Sequence, residues 1–207
     1  MRVHELLAPG AFAAIEAAVA GAERATSGEI VPIVVERSDA YADVRLAAAA
    51  LVALALGGLG PELASGLSFW IAPTQICVFA ALWWLFGRRP LLRALVPHAL
   101  AAGRVHRAAS LAFHEAGLVE TRDRTGILIY VSLLERRVQV VADRGIHARV
   151  ADGTWDGVVE RVLAGIRAGR ADAGLVEGIR LCGEILAANF PRRADDRDEL
   201  PNRPRGA

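Results

Sequence analysis

Five charged residues carry the chemistry this chain can offer: Glu29, Asp123, Arg124, Asp143 and Arg144. Each borders a short apolar or β-branched run. If the first two runs are parallel strands, they begin at the same sheet edge. A third strand running back ends there, and the five residues meet. Arginine forks match phosphate and carboxylate oxygens, so such a cluster could hold an anion or an anionic group of a partner. A rim of solvated ion pairs, each worth roughly 0–1 kcal/mol, is the competing reading.

Other reactive types form weaker patterns. His98, His106 and His114 recur every eight residues, a step that drifts about 80° around a helix, so they share no face. His114-Glu115 lacks the second histidine of a zinc-protease helix. Ser38 and Ser132 have neither a glycine elbow nor a histidine partner. Gly174 and Gly178 suit close helix packing better than a phosphate cradle. Trp155 opens a helix as a core residue. Asp152 and Asp156 flank it as first-turn acids favoured by the helix dipole.

The elements that must position these residues follow from periodicity. Phe12, Ile15 and Val19 set a helix over Ala11–Arg24. Glu29–Glu36 reads as a strand, with Pro32 placing it at an edge or a bulge. Leu91–Leu118 is helical, with a possible break at Pro97. Gly126–Ser132 is a strongly apolar strand, and Arg137–Ala142 is its hairpin partner. Helices follow over Thr154–Ala168 and Asp172–Asn189. The tail from Pro191 reads as disordered.

Between the first strand and the next helix lies a long apolar block. Leu46–Gly87 holds one charge, Glu62. Val44–Gly60 and Phe69–Gly87 read as two transmembrane helices, with Trp70, Trp83 and Trp84 as interfacial rings. Arg88, Arg89 and Arg93 follow, whereas the loop Pro61–Ser68 has no basic residue. The positive-inside rule then places both termini in the cytoplasm.

Composition narrows the classes. The 207 residues suit one domain of ordinary size plus a hairpin, and a net charge of +1 argues against a bulk nucleic-acid binder. All the basic residues are arginine. The cysteines, Cys77 and Cys182, cannot build a disulfide framework and read as buried thiols. MRVHELLAPGAF lacks the apolar core of a secretory signal.

Four stretches carry a family resemblance. They are SGEIVPIVVERS (Ser27–Ser38), GRVHRAASLAFHEAGL (Gly103–Leu118), RTGILIYVSLLERRVQVVADRGI (Arg124–Ile146) and AGRADAGLVEGI (Ala168–Ile179). Their order resembles the TPM domain family, in a branch where a hydrophobic hairpin interrupts the domain. The resemblance implies a three-layer α/β/α fold with a small mixed sheet. It also implies acid phosphatase activity or divalent metal binding, as in some members, or a role in assembling or modulating membrane complexes, as in others. Family members often carry Asp-Asn-Gly before the second strand and a glutamate-bearing Gly-Tyr-Gly-like turn after the third. Here those places read Arg124-Thr125-Gly126 and Arg144-Gly145-Ile146-His147. A hard cation wants several carboxylate oxygens, so no metal or other cofactor is expected.

The expected organisation is a helix and first strand over 1–43, a transmembrane hairpin over 44–87, the rest of the TPM-like domain over 88–190 and a disordered tail over 191–207. The expected protein is a bacterial-type, multi-pass inner-membrane protein whose cytoplasmic domain acts through a protein partner or in complex assembly. The lipid bilayer is its other partner, and nucleic acid is not one. An acid-phosphatase-like hydrolase is the alternative.

Overall fold

The computed structural model describes residues 10–58, 68–121, 123–151, 153–193 and 205–206. The expectations for the N-terminal MRVHELLAP, for Glu62 with its loop, for Asp152 and for most of the tail lie outside these residues. The chain forms two compact units, one from residues 1–38 and 102–207, the other from residues 39–101.

The first unit is built on a small mixed sheet. β1 (Glu29–Val35) pairs in parallel with β2 (Gly126–Ser132), Glu29 opposite Gly126 and Val35 opposite Ser132. β3 (Arg137–Ala142) runs antiparallel to β2, from Ile127 opposite Ala142 to Ser132 opposite Arg137. β4 (Arg205–Gly206) adds a two-residue parallel pairing on the outer side of β1, giving the order β3-β2-β1-β4.

β2 reads as an unbroken apolar run because both its faces are covered. Ile127, Ile129 and Val131 face one core, with Ile30 and Val34 of β1. Against them pack Ile15 and Val19 of α1 (Ala11–Glu23), Val158 and Val162 of α7 (Asp156–Arg167), and Leu175, Ile179 and Leu186 of α8 (Ala171–Asn189). Leu128 and Tyr130 face the other core, with Val31, Ile33 and Val35. That side is closed by Val105, Ala109 and Phe113 of α5 (His98–Glu115). Trp155 packs partly buried on the first core, and Asp156 is the acid in the first turn of α7. Gly174 and Gly178 do serve packing: a Cβ on either would meet α7 atoms, Gly165 Cα at 2.7 Å and Val162 Cγ2 at 2.5 Å.

The second unit overturns the membrane expectation. It holds α2 (Ala42–Gly58), α3 (Ser68–Phe86) and α4 (Arg89–Leu95). Among the described residues no helix is long and apolar enough to cross a membrane. At 17 residues α2 extends about 25 Å, short of a hydrocarbon core of about 30 Å. α3 has 19 residues, and Pro73, Thr74 and Gln75 interrupt its apolar run. Gln75 Nε2 donates to Ala53 O at 3.4 Å, so a polar group of α3 is turned onto α2. Two of the tryptophans expected at an interface stack on arginines: Arg45 lies 4.2 Å from the Trp83 ring and Arg88 4.0 Å from Trp84. The Arg45 Nη2 also donates to Trp83 O at 2.9 Å. The transmembrane hairpin is therefore corrected to a packed helical pair. With it go the interrupted fold class, the integral-membrane function and the multi-pass inner-membrane location with both termini cytoplasmic. Cys77 is also corrected: it is exposed on α3, while Cys182 is buried.

At the carboxyl ends of β1 and β2 a polar network replaces apolar packing. Tyr130 OH donates to Ser38 Oγ at 3.3 Å, and Ser38 Oγ to Ser132 Oγ at 2.8 Å. Ser132 Oγ donates to Glu135 Oε2 at 2.5 Å, and the Ser38 amide to Glu135 Oε1 at 3.0 Å. Burial raises the Tyr130 hydroxyl above its ordinary pKa of 10.0; the Ser38 hydrogen bond opposes that shift and the Glu135 carboxylate adds to it. Burial alone pushes the Cys182 thiol up. Both groups hold their protons more tightly when folded, so their contribution is complete below the unfolded pKa values. It is lost as the pH climbs from about 8.5 through the folded values. Urea unfolding from pH 8 to pH 11 is thus expected to show falling stability, with a shallower fall for Tyr130→Phe. Equal slopes for the two proteins would contradict this assignment.

Candidate functional site

The opposite sheet edge carries a cleft of about 520 Å³. Ser27 enters it just before β1, and Asp123 and Thr125 just before β2. Gly145 of α6 (Arg144–His147), with Ala148 and Arg149 beyond it, forms a second wall. Phe190, Pro191 and Arg193, which follow α8, form the third.

Local chemistry fixes each wall. Thr125 Oγ1 donates to Ser27 O at 2.9 Å, tying the entries of the two strands together. Asp143 caps α6, its Oδ1 accepting the Arg144 amide at 2.6 Å. A Cβ on Gly145 would sit 2.6 Å from Arg124 O and 2.7 Å from Asp123 O, so only glycine lets α6 approach this turn. Arg124 takes a left-handed φ of 55°, a conformation costly for a branched-off Cβ. Thr26 Oγ1 donates to Phe190 O at 2.7 Å, fixing the end of α8.

The charges are partly paired. Arg193 Nη1 lies 3.3 Å from Asp123 Oδ2. Arg124 Nη1 lies 4.0 Å from Asp143 Oδ2, which is buried and accepts no hydrogen bond among the described residues. Arg149 Nη1 donates to Asn189 O at 3.3 Å, and its guanidinium lies 5.1 Å from the Phe190 ring centroid.

Of the five residues singled out from the sequence, Asp123 lines the cleft. Arg124 and Asp143 pair beside it. Glu29 is buried at the start of β1, and Arg144 is exposed at the start of α6; neither lines the cleft. Arg149 and Arg193 are the cations that do line it. Ser27 and Thr125 obey the same strand-start logic that selected Glu29 and Asp123. Pro191 and Arg193 had no local signal, because a long-range bond of the Arg192 amide to Ala25 O, at 3.3 Å, positions their segment.

A family model described as the TPM domain matches residues 95–185. The chain carries a TPM domain over that stretch. Its structure is similar to the NMR structure of the BA42 protein from the psychrophilic bacterium Bizionia argentinensis, with a TM-score of 0.63. That likeness covers 100% of this chain and 99% of the other at 23% identity, and it shows the fold alone. No curated protein matches the sequence.

The described residues at this edge of the TPM domain offer a divalent cation few carboxylate oxygens. Asp123 is engaged by Arg193, and Asp143 gives Oδ1 to the Arg144 amide while its Oδ2 lies 4.0 Å from Arg124. Among the described residues no three His, Cys, Asp or Glu side chains gather to hold a metal ion. His147 turns its Nδ1 to Asp143 O at 3.1 Å and does not line the cleft. At the far edge of the TPM domain Ser132 is fully buried, so no substrate reaches its hydroxyl.

Proposed function

We propose that this TPM domain is a recognition module that takes an anionic group of a protein partner, a phosphate or a carboxylate, into the sheet-edge cleft. The observation that carries the reading is the convergence of Arg149 and Arg193 with the hydroxyl-bearing Ser27 and Thr125 on one cleft. A guanidinium has five N–H donors, and Arg149, which gives one to Asn189 O, has further donors to offer a ligand's oxygens. Recognition is favoured over hydrolysis by what surrounds the hydroxyls. Thr125 Oγ1 donates to a backbone carbonyl, and no histidine stands among the described residues lining the cleft. A nucleophile needs a base within hydrogen-bond reach or a metal-activated water.

The test is calorimetric titration of inorganic phosphate into the intact protein and into a double variant, Arg149→Ala with Arg193→Ala. A charge-assisted hydrogen bond is worth about 1.5–3 kcal/mol, so binding is expected to weaken by about tenfold or more. Equal affinity for the two proteins would remove the cleft from the account. Hydrolysis of p-nitrophenyl phosphate by the intact protein, lost in the double variant, would replace recognition by catalysis.

A further inference from the structure

The outer edge of β1 offers little that another strand could pair with. In a ladder, successive residues turn their amides to opposite sides. The Glu29 amide donates to Thr125 O at 3.3 Å, on the β2 side. Alternation then turns Ile30, Pro32 and Val34 outward. The Ile30 amide is taken by Glu23 Oε1 at 2.9 Å. Pro32 has no N–H to give. Val34 is the position that remains. There the chain's last residues add β4, with Ile33 opposite Arg205 and Val34 opposite Gly206.

The segment that ends in β4 is also anchored at the other end of β1. Pro191 forms a bridge with Thr26, and the Arg192 amide donates to Ala25 O at 3.3 Å. Arg193 reaches Asp123 at 3.3 Å. One C-terminal segment therefore has contacts beside both the start and the finish of the same strand.

We infer that the outer edge of β1 is a short strand-docking slot that accepts the chain's own C-terminal segment and refuses longer strands. A bare edge pairs with whatever extended chain it meets, and proteins blunt such edges with prolines, charges or covering segments. Glu23 and Pro32 blunt the first half of β1. β4 covers the second half, with glycine, which brings no side chain, opposite Val34. The occupant is the two-residue strand Arg205–Gly206. Further back, the same segment carries Pro191 and Arg193, which line the cleft.

Amide exchange followed by NMR tests the slot. A chain ending at Arg193 is expected to exchange the Val34 amide at least tenfold faster, with Ile129 unchanged as proof of an intact sheet. A synthetic peptide of residues 194–207, added to that chain, is expected to restore protection. Unaltered exchange at Val34, or no restoration by the peptide, would overturn the proposal. The intact chain provides a second measurement. A spin label on Ala207→Cys, with Cys77→Ser, is expected to broaden the amides of Ile33 and Val34. Broadening that spares them would overturn the slot even if the shortened chain failed to fold.

Discussion

Gly165→Ala is expected to cost the domain about 3 kcal/mol or more, a large share of the roughly 5–15 kcal/mol that holds a typical domain together. A Cβ there would lie 2.4 Å from Gly174 Cα and 2.8 Å from both Arg170 O and the Gly174 nitrogen. All three are backbone atoms, so no side chain can swing away. α7 would have to separate from α8, and Val158, Val162, Leu175 and Ile179 would lose their close packing. Gly157→Ala on the same helix is the control. Its Cβ would meet Leu181 Cδ2 at 3.5 Å, an ordinary contact. Alanine is about 1 kcal/mol better than glycine within a helix, so that variant should be neutral or slightly stabilised. Urea denaturation of both proteins decides the matter. A loss below about 1 kcal/mol at Gly165 would contradict this packing, since overpacking of a rigid site costs about 1–3 kcal/mol at least.

Gly145→Ala is expected to act on stability and on the cleft together. The added Cβ would fall 2.6 Å from Arg124 O and 2.7 Å from Asp123 O. Again the obstacles are backbone. α6 must lift from the turn before β2, which displaces the Asp143 cap at its start and Arg149 just beyond its end. A cost of about 2–3 kcal/mol is expected, within the usual range for overpacking. Phosphate affinity should fall along with it. Gly145→Ala protein that keeps both its urea midpoint and its phosphate affinity would show that the close approach is dispensable.

Much of the sheet was legible in the residues. GILIYVS is apolar without interruption because Ile127, Ile129 and Val131 serve one core while Leu128 and Tyr130 serve the other. Pro32 placed β1 at an edge or a bulge, and among the described residues the two-residue β4 lies beyond it. The TPM resemblance rested on the same segments and is upheld. The helical pair was misread because hydropathy reports the absence of charge, not what a helix packs against. Leu51, Leu54, Ile76 and Trp84 are exposed, yet α2 is too short to span and Gln75 of α3 bonds the α2 backbone. The candidate site was half legible. Asp123 follows from strand order alone. Arg149 and Arg193 depend on where α6 and the end of α8 come to rest, through the Gly145 approach and the Thr26–Phe190 bond. No local pattern encodes those contacts.

The most direct measurement of the cleft's role is an NMR titration of the intact protein with inorganic phosphate, residue by residue. The account predicts saturable shifts of the Ser27, Thr125, Ala148 and Arg149 amides, which line one cleft, and their loss in Arg149→Ala. Shifts confined to the exposed arginines of the helical unit, or none at all, would contradict it.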